Sequence, residues 1–434
     1  LIEIDKQKKI LMVDMHHIIS DGMSVGILVK EFMELYAGKK PPALRLQYKD
    51  YSEWQYRLAL KKPIRQQESF WLKEFSGELP VLDLPLDYPR PAVRDFAGGS
   101  IGFEIDGKET DALKSVANEQ TVTLFMLVLS LYVVCLSRLC GQEEIAVGTP
   151  VAGRRHADLE PLMGMFVNTL VLRHFPVGSR TFTRFLQEVK ERSLNAFENQ
   201  DYLYEDLVEQ VSLERDTGRN PLFDTMFALQ DFNALKIEIP GLKVQPYDYE
   251  TPISKFDLSL TAVEAKENLL FTFEYRTKLF KPETIRRFIG YFTKTISSVI
   301  ENQDLRISEI EIIGEEEKNR ILHEFNDTAA DCPKDKTIHR LFEEQVETRP
   351  HQVALVGPKL QTTNYKLQTN SKLQNTNHKQ SGALRANANA FGGRAAPDDY
   401  RIRPVGPVQL TYRELNKRSD GLAGFLIERG VQAD

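Results

Sequence analysis

His16 and His17 stand side by side near the start of the chain, and Ser20, Asp21 and Gly22 follow, giving the pattern H-H-x-x-x-D-G. Imidazole has an ordinary pKa of about 6.5, so it can take or give a proton at neutral pH. That suits an amine that must shed a proton while it attacks a carbonyl carbon. Asp21, one turn later, can brace the loop by pairing with an arginine. Gly22 permits a sharp turn and the close approach of a ligand where a side chain would obstruct. A plainer reading makes the two histidines hydrogen-bonded turn residues. A zinc site is disfavoured, because adjacent histidines have the wrong spacing and no cysteine lies near them. No metal is therefore assigned.

The elements that must position these residues read as α/β. Residues 9–17 are mostly apolar and precede the turn at Gly22, which predicts a buried strand delivering both histidines to its end. Neighbouring side chains on a strand face opposite sides, so only one of the two histidines can serve a given site. Met23, Ile27, Leu28, Phe32, Leu35 and Tyr36 then recur at helical spacing, and the pattern stops at Gly38. A second unit repeats this alternation, with a strongly apolar helix over residues 124–139 closed by Gly141 and a short strand over 144–150. Helices are also predicted over 182–199 and 203–211, and strands over 241–246, 258–263 and 269–275.

Composition sets the outer limits. The chain has 434 residues, 41% hydrophobic and 27% charged, enough for more than one folded unit with a real core. The formal net charge of −6 and the scattered cations argue against a nucleic-acid partner or an anionic membrane surface. The most apolar stretch, residues 122–136, is shorter than the roughly 20 residues a membrane helix needs, and reads as a buried helix. Cys135, Cys140 and Cys332 form neither a metal-ligand spacing nor a disulfide framework, which fits a reducing, cytoplasmic compartment.

Further stretches follow the histidine pattern in order. They are Tyr48-Lys49-Asp50-Tyr51 with Trp54, Gly164-Met165-Phe166-Val167-Asn168-Thr169 with Arg173, Asn199-Gln200-Asp201-Tyr202 with Glu205, and Arg215-Asp216-Thr217-Gly218-Arg219-Asn220-Pro221-Leu222. Together with residues 15–22 they resemble the motifs of non-ribosomal peptide synthetase condensation domains. Ile338-His339-Arg340-Leu341-Phe342-Glu343, Val353-Ala354-Leu355-Val356 and Leu410-Thr411-Tyr412-Arg413-Glu414-Leu415 resemble the opening of an adenylation domain.

The first resemblance implies an α/β fold of two chloramphenicol-acetyltransferase-like lobes in a V, with a tunnel entered from both faces by phosphopantetheine arms. The activity implied is amide-bond formation between carrier-bound aminoacyl or peptidyl thioesters, as in antibiotic biosynthesis. His17 becomes the histidine at the tunnel's midpoint, as a base or as a group that places the amine; His16 precedes it, Asp21 is structural and Gly22 lines the channel. Arg154, Arg215 and Arg219 are the candidates to pair with Asp21, and Asn168 is a candidate polar group of the tunnel. Residues 254–258 resemble a sheet segment near its floor. The chain itself is expected to bind no cofactor; phosphopantetheine arrives on upstream and downstream peptidyl carrier domains, and an adenylation domain adjoins.

The resulting layout is a condensation domain over 1–312, a linker over 313–336, and the start of an adenylation domain over 337–434. An insertion over 357–409 carries an imperfect Gln- and Asn-rich repeat beginning at Lys359, Lys366 and Lys372, too poor in large apolar residues to fold alone. The family places several elements of the first lobe ahead of the histidines, so the chain is expected to start inside that lobe and to be inactive by itself. A phosphate-cradling loop and a carrier serine are not evident, so activation of amino acids with ATP is not expected. The alternatives are a non-catalytic remnant that binds carrier or neighbouring domains, an epimerisation domain, and an acyltransferase using coenzyme A. The adenylation-like segment after the condensation motifs argues against the last two.

Overall fold

A computed structural model of the chain describes residues 1–5, 8–59, 62–211, 216–231, 242–244, 252–329, 335–359 and 405–428. They fall into two compact units, Leu1–Asp327 and Thr328–Asp434.

The first unit opens with a two-stranded ladder, β1 (Ile2–Glu3) and β2 (Lys9–Ile10), followed by the helices α1 (Gly22–Tyr36), α2 (Tyr48–Ala59) and α3 (Lys62–Glu74). Then come β3 (Gly98–Ile105), α4 (Gly107–Glu119), α5 (Leu124–Cys140), β4 (Ile145–Val151), β5 (Asn168–His174), α6 (Phe182–Glu198) and α7 (Tyr204–Val211). The unit finishes with β6 (Thr225–Asp231), β7 (Leu258–Ala265), β8 (Asn268–Arg276), α8 (Pro282–Glu301) and α9 (Glu315–Asn319).

Six strands form one mixed sheet in the order β3-β8-β7-β6-β4-β5. β6 runs parallel to both β7 and β4, and the remaining neighbours are antiparallel. Helices α4, α5, α6 and α8 pack on this sheet and on one another. Thr123 caps the start of α5, its hydroxyl accepting from Met126 N–H at 3.2 Å, and Gly141 ends it at φ 67°, a left-handed turn that a Cβ would oppose. Every residue of α5 from Met126 to Ser137 is buried, so its apolar run is spent on the core. Among the described residues, no single helix is long and apolar enough to cross a membrane. Phe292 of α8 meets Phe103 and Phe271 edge-on, at ring-centre distances of 6.2 and 5.5 Å, and joins helix to sheet.

One expectation needs correction. Residues 9–17 are not one strand: β2 has only Ile2 and Glu3 of β1 as ladder partners, and residues 11–16 join no ladder. A strand requires a neighbour to take its backbone groups, and none is described beyond Ile10. Helix α1 forms where its spacing indicates; Ile27 and Leu28 of its apolar side are half-buried, Met23, Phe32 and Leu35 are 44%, 43% and 59% exposed, and Ser24 is its buried residue. Of the strand expected over 241–246, residues 242–244 are described and belong to no named strand, and residues 241, 245 and 246 lie outside the described residues.

The second unit contains α10 (Ile338–Thr348), β9 (Val353–Lys359), β10 (Val405–Thr411) and α11 (Tyr412–Glu428). β9 and β10 pair antiparallel, so the ladder carries into both ends of the segment read as an insertion. Residues 360–404, with most of the repeat, lie outside the described residues. Thr411 and Glu414 cap α11 reciprocally, Thr411 N–H donating to Glu414 Oε2 at 2.9 Å and Glu414 N–H to Thr411 Oγ1 at 3.3 Å.

Because Phe292 is wholly buried among aromatic rings, Phe292→Ala should cost about 3–5 kcal/mol of stability in urea unfolding. A loss below about 1 kcal/mol would contradict this account of the core.

Candidate active site

His17 opens a one-turn 3-10 helix, His17–Ile19, rather than closing a strand. Its Nδ1 lies 2.7 Å from the Ser20 carbonyl oxygen. A carbonyl can only accept, so Nδ1 carries a proton, and in the neutral ring Nε2 is the atom that keeps the lone pair. His16 is the reverse case: its Nδ1 accepts from Ile18 N–H at 3.1 Å, which caps the turn and consumes that lone pair. Both rings are exposed. The two neighbours thus divide into one histidine that can accept a proton through Nε2 and one that holds the turn.

The turn leads into Asp21, the N-cap of α1. Asp21 Oδ1 accepts from Ser24 N–H and from Ser24 Oγ, both at 2.8 Å, and Oδ2 accepts from Phe166 N–H at 3.1 Å. Arg154 grips the same carboxylate with two bonds, Nη1 to Oδ2 at 2.6 Å and Nη2 to Oδ1 at 3.0 Å. Both side chains are essentially inaccessible to water. Burial alone would raise the Asp21 pKa, but the Arg154 guanidinium and the three donors from Ser24 and Phe166 outweigh it and hold the carboxyl below its ordinary value.

Arg154 arrives on the connection between β4 and β5. Val151 and Asn168 are paired at the strand ends, so residues 152–167 leave and re-enter the sheet side by side. Gly153 starts this connection at φ 66°, and a Cβ there would collide with the Phe166 carbonyl. The Phe166 ring lies under the Arg154 guanidinium, 4.1 Å from its centre, and packs against Tyr48 and Tyr51 of α2. Tyr48 OH donates to the Met165 carbonyl at 2.7 Å.

The other expected residues have distinct places. Asn168 is fully engaged: its amide nitrogen donates to the Gln200 and Tyr202 carbonyls, and its oxygen accepts from Thr169 and Tyr204 N–H. It ties β5 to the stretch before α7 and has no valence left for a substrate. Arg219 is not the partner of Asp21; it pairs with Asp224 at 2.5 Å, in a separate buried group with Asp257, Arg90 and Arg276. There, burial and the neighbouring Asp257 push the Asp224 pKa up to about 6. Arg215 lies outside the described residues. Gly22 does not make the expected sharp turn: it is an ordinary first helical residue, and a Cβ there would meet nothing within 4 Å, which leaves the space beside it open. Ser24 is not among the residues that the sequence motifs single out, although Asp21 three residues ahead of it is a recognisable helix cap. Among the described residues, no group of three or more His, Cys, Asp or Glu side chains could hold a metal ion.

A mixed sheet with helices packed on it, and a histidine turn clasped by the β4–β5 connection, define an α/β fold of the condensation-domain kind. The family model described as "Condensation domain" matches residues 1–322, and the chain belongs to that family, whose members form amide bonds in non-ribosomal peptide synthesis. It is 44% identical over all 434 residues to bacitracin synthase 3 of Bacillus licheniformis, of which it spans 6%, and 42% identical to bacitracin synthase 2 of the same organism, of which it spans 15%. It is 45% identical over 82% of its length to gramicidin S synthase 2 of Brevibacillus brevis, spanning 8% of that protein. The chain therefore spans a small part of these relatives. Among solved structures, a four-domain nonribosomal peptide synthetase bound to AMP and glycine aligns with a TM-score of 0.65 and 22% identity, covering 96% of this chain and 29% of its own. The X-domain from teicoplanin biosynthesis aligns at 0.62 and 22%, covering 69% of this chain and 70% of its own. At these identities the two structures speak for the fold alone.

A depressed carboxyl pKa stabilises the fold above the unfolded value of 3.8, and this contribution is lost as pH falls through the lower folded value. Asp21→Asn should therefore be less stable than wild type by about 3–5 kcal/mol at pH 7, because it uncouples the buried Arg154 charge. The gap should narrow once the pH falls below 3.8. A difference that stays constant from pH 7 to pH 2 in chemical denaturation would contradict the ion-pair assignment.

Proposed function

We infer that the chain supplies the amide-forming centre of a peptide synthetase, joining a donor aminoacyl or peptidyl thioester to the amine of an acceptor aminoacyl thioester. The amine nitrogen attacks the thioester carbonyl, the C–N bond forms, the C–S bond breaks, and the thiol departs. His17 Nε2 lies on the turn as the lone pair able to orient the amine or to take its proton. The observation that carries this reading is the 2.7 Å contact of His17 Nδ1 with the Ser20 carbonyl, on a turn anchored through Asp21, which leaves Nε2 free of that bond. Holding both reactants on tethers makes the encounter effectively unimolecular, so one well-placed imidazole can suffice.

The partners in this reading are upstream and downstream peptidyl carrier domains, which bring the phosphopantetheine arms; the chain holds none of its own. The second unit is read as the opening of an adenylation domain, supported by its motif-like stretches and by relatives that match along all 434 residues. A cytoplasmic location accords with the free thiols of Cys135, which is buried, and Cys140, which is half-buried.

Amide product can be followed by mass spectrometry with donor- and acceptor-loaded carrier domains, using this chain and the same chain extended with native upstream sequence. In whichever form is active, His17→Ala should lower the rate at least about 100-fold, whereas His16→Ala should act mainly through loss of the turn's cap and cost less. An unchanged rate in His17→Ala would overturn the assignment.

A further inference from the structure

Ser24 is wholly buried on the first turn of α1, and its hydroxyl has polar neighbours on every side. Its one proton goes to the charged Asp21 Oδ1, 2.8 Å away, and the Gly164 carbonyl oxygen lies 3.0 Å from the same hydroxyl. Gly164 N–H, at 3.0 Å, and Arg154 Nη2, at 3.2 Å, donate to its lone pairs. One hydroxyl thus joins residues 140 positions apart: it donates to Asp21 and accepts from Gly164 N–H. Gly164 has little freedom to shift, because a Cβ at that position would collide with the Tyr48 ring, and the neighbouring Met165 carbonyl is held by Tyr48 OH.

These contacts reach His17 by a short covalent path. Ser24 and Arg154 fix Asp21; Asp21 directly follows Ser20; and the Ser20 carbonyl holds His17 Nδ1. We propose that Ser24 is a positioning residue for amide formation, the hydroxyl that locks the histidine turn onto residues 162–166 and thereby sets the location of His17 Nε2. The proposal rests on the reading of His17 as the catalytic histidine. With alanine at 24, the Arg154–Asp21 pair persists, but Asp21 loses one donor and Gly164 N–H loses its acceptor in a buried place. The turn can then shift relative to the β4–β5 connection, and a misplacement of about 1 Å at a reacting group can cost about 100-fold in rate.

The test compares Ser24→Ala, Ser24→Thr and His17→Ala in the longest native polypeptide carrying this chain, with loaded donor and acceptor carriers. kcat, the KM for the acceptor carrier and the melting temperature are measured for each. Ser24→Ala should lower kcat about 10- to 100-fold while KM stays within about twofold, because the buried hydroxyl cannot meet a docking carrier. Ser24→Thr, which keeps the hydroxyl, should recover most of the loss. A folded Ser24→Ala protein with kcat within about threefold of wild type, a loss that falls on KM alone, or a threonine variant no better than alanine would each overturn the proposal. Should Ser24→Ala melt below the assay temperature, Ser24→Thr decides: near-normal kcat supports the role, and a fall as deep as in His17→Ala refutes it. If His17→Ala itself leaves the rate unchanged, the reading of His17 is wrong and this inference goes with it.

Discussion

The buried pair of Asp21 and Arg154 is the constraint on which the site depends. Two charges withdrawn from water carry a desolvation cost that geometry must offset. Here Asp21 accepts from Arg154 twice, from Ser24 twice and from Phe166 once, while Arg154 also donates to the Leu162 carbonyl and lies over the Phe166 ring. Removing any one participant leaves another unsatisfied without solvent to replace it. The histidine turn, the first turn of α1 and the β4–β5 connection therefore behave as one body, even though they are far apart in the chain.

The sheet makes this body possible. Antiparallel β4 and β5 bring Val151 and Asn168 level, so both ends of the 152–167 connection start from fixed points. Beneath them α5 contributes a continuous buried face, and β6 pairs in parallel on the far side of β4. Asn168 turns its whole hydrogen-bonding capacity to the stretch leading into α7, which makes it a staple of the platform. Gly153, with its positive φ and no room for a Cβ, lets the connection double back closely enough for Phe166 N–H to reach Asp21.

Local features are legible in the sequence to the extent that their causes are local. The apolar run of α5 and its glycine stop, the recurrence along α1, and the strands β7 and β8 follow from periodicity and end signals within a few residues. Helix α8, absent from the sequence-based expectations, has Pro282 at its start and Phe288, Phe292, Ile296 and Val299 along one side, a signal of the same local kind. Long-range facts are not legible. Residues 9–17 have a strand's composition but only β1 as a neighbour, and α1 has an apolar stripe that stays largely exposed. Arg154 can be named from sequence as one of three partners for Asp21, but only the register of β4 on β5 singles it out from Arg219, which Asp224 takes instead. Ser24 is hidden for the same reason, since its bond to Gly164 spans 140 residues.

On the reading proposed above, the Asp21–Arg154 clasp fixes His17 with the proton on Nδ1 and the lone pair on Nε2. The direct measurement is the 15N spectrum of the His17 ring at a pH where it is neutral, in wild type and in Arg154→Met. Wild type should show a single Nδ1–H tautomer, and the folded variant a shift toward the mixed tautomers of a free histidine. An Nε2–H tautomer in wild type, or identical spectra from both proteins, would contradict it.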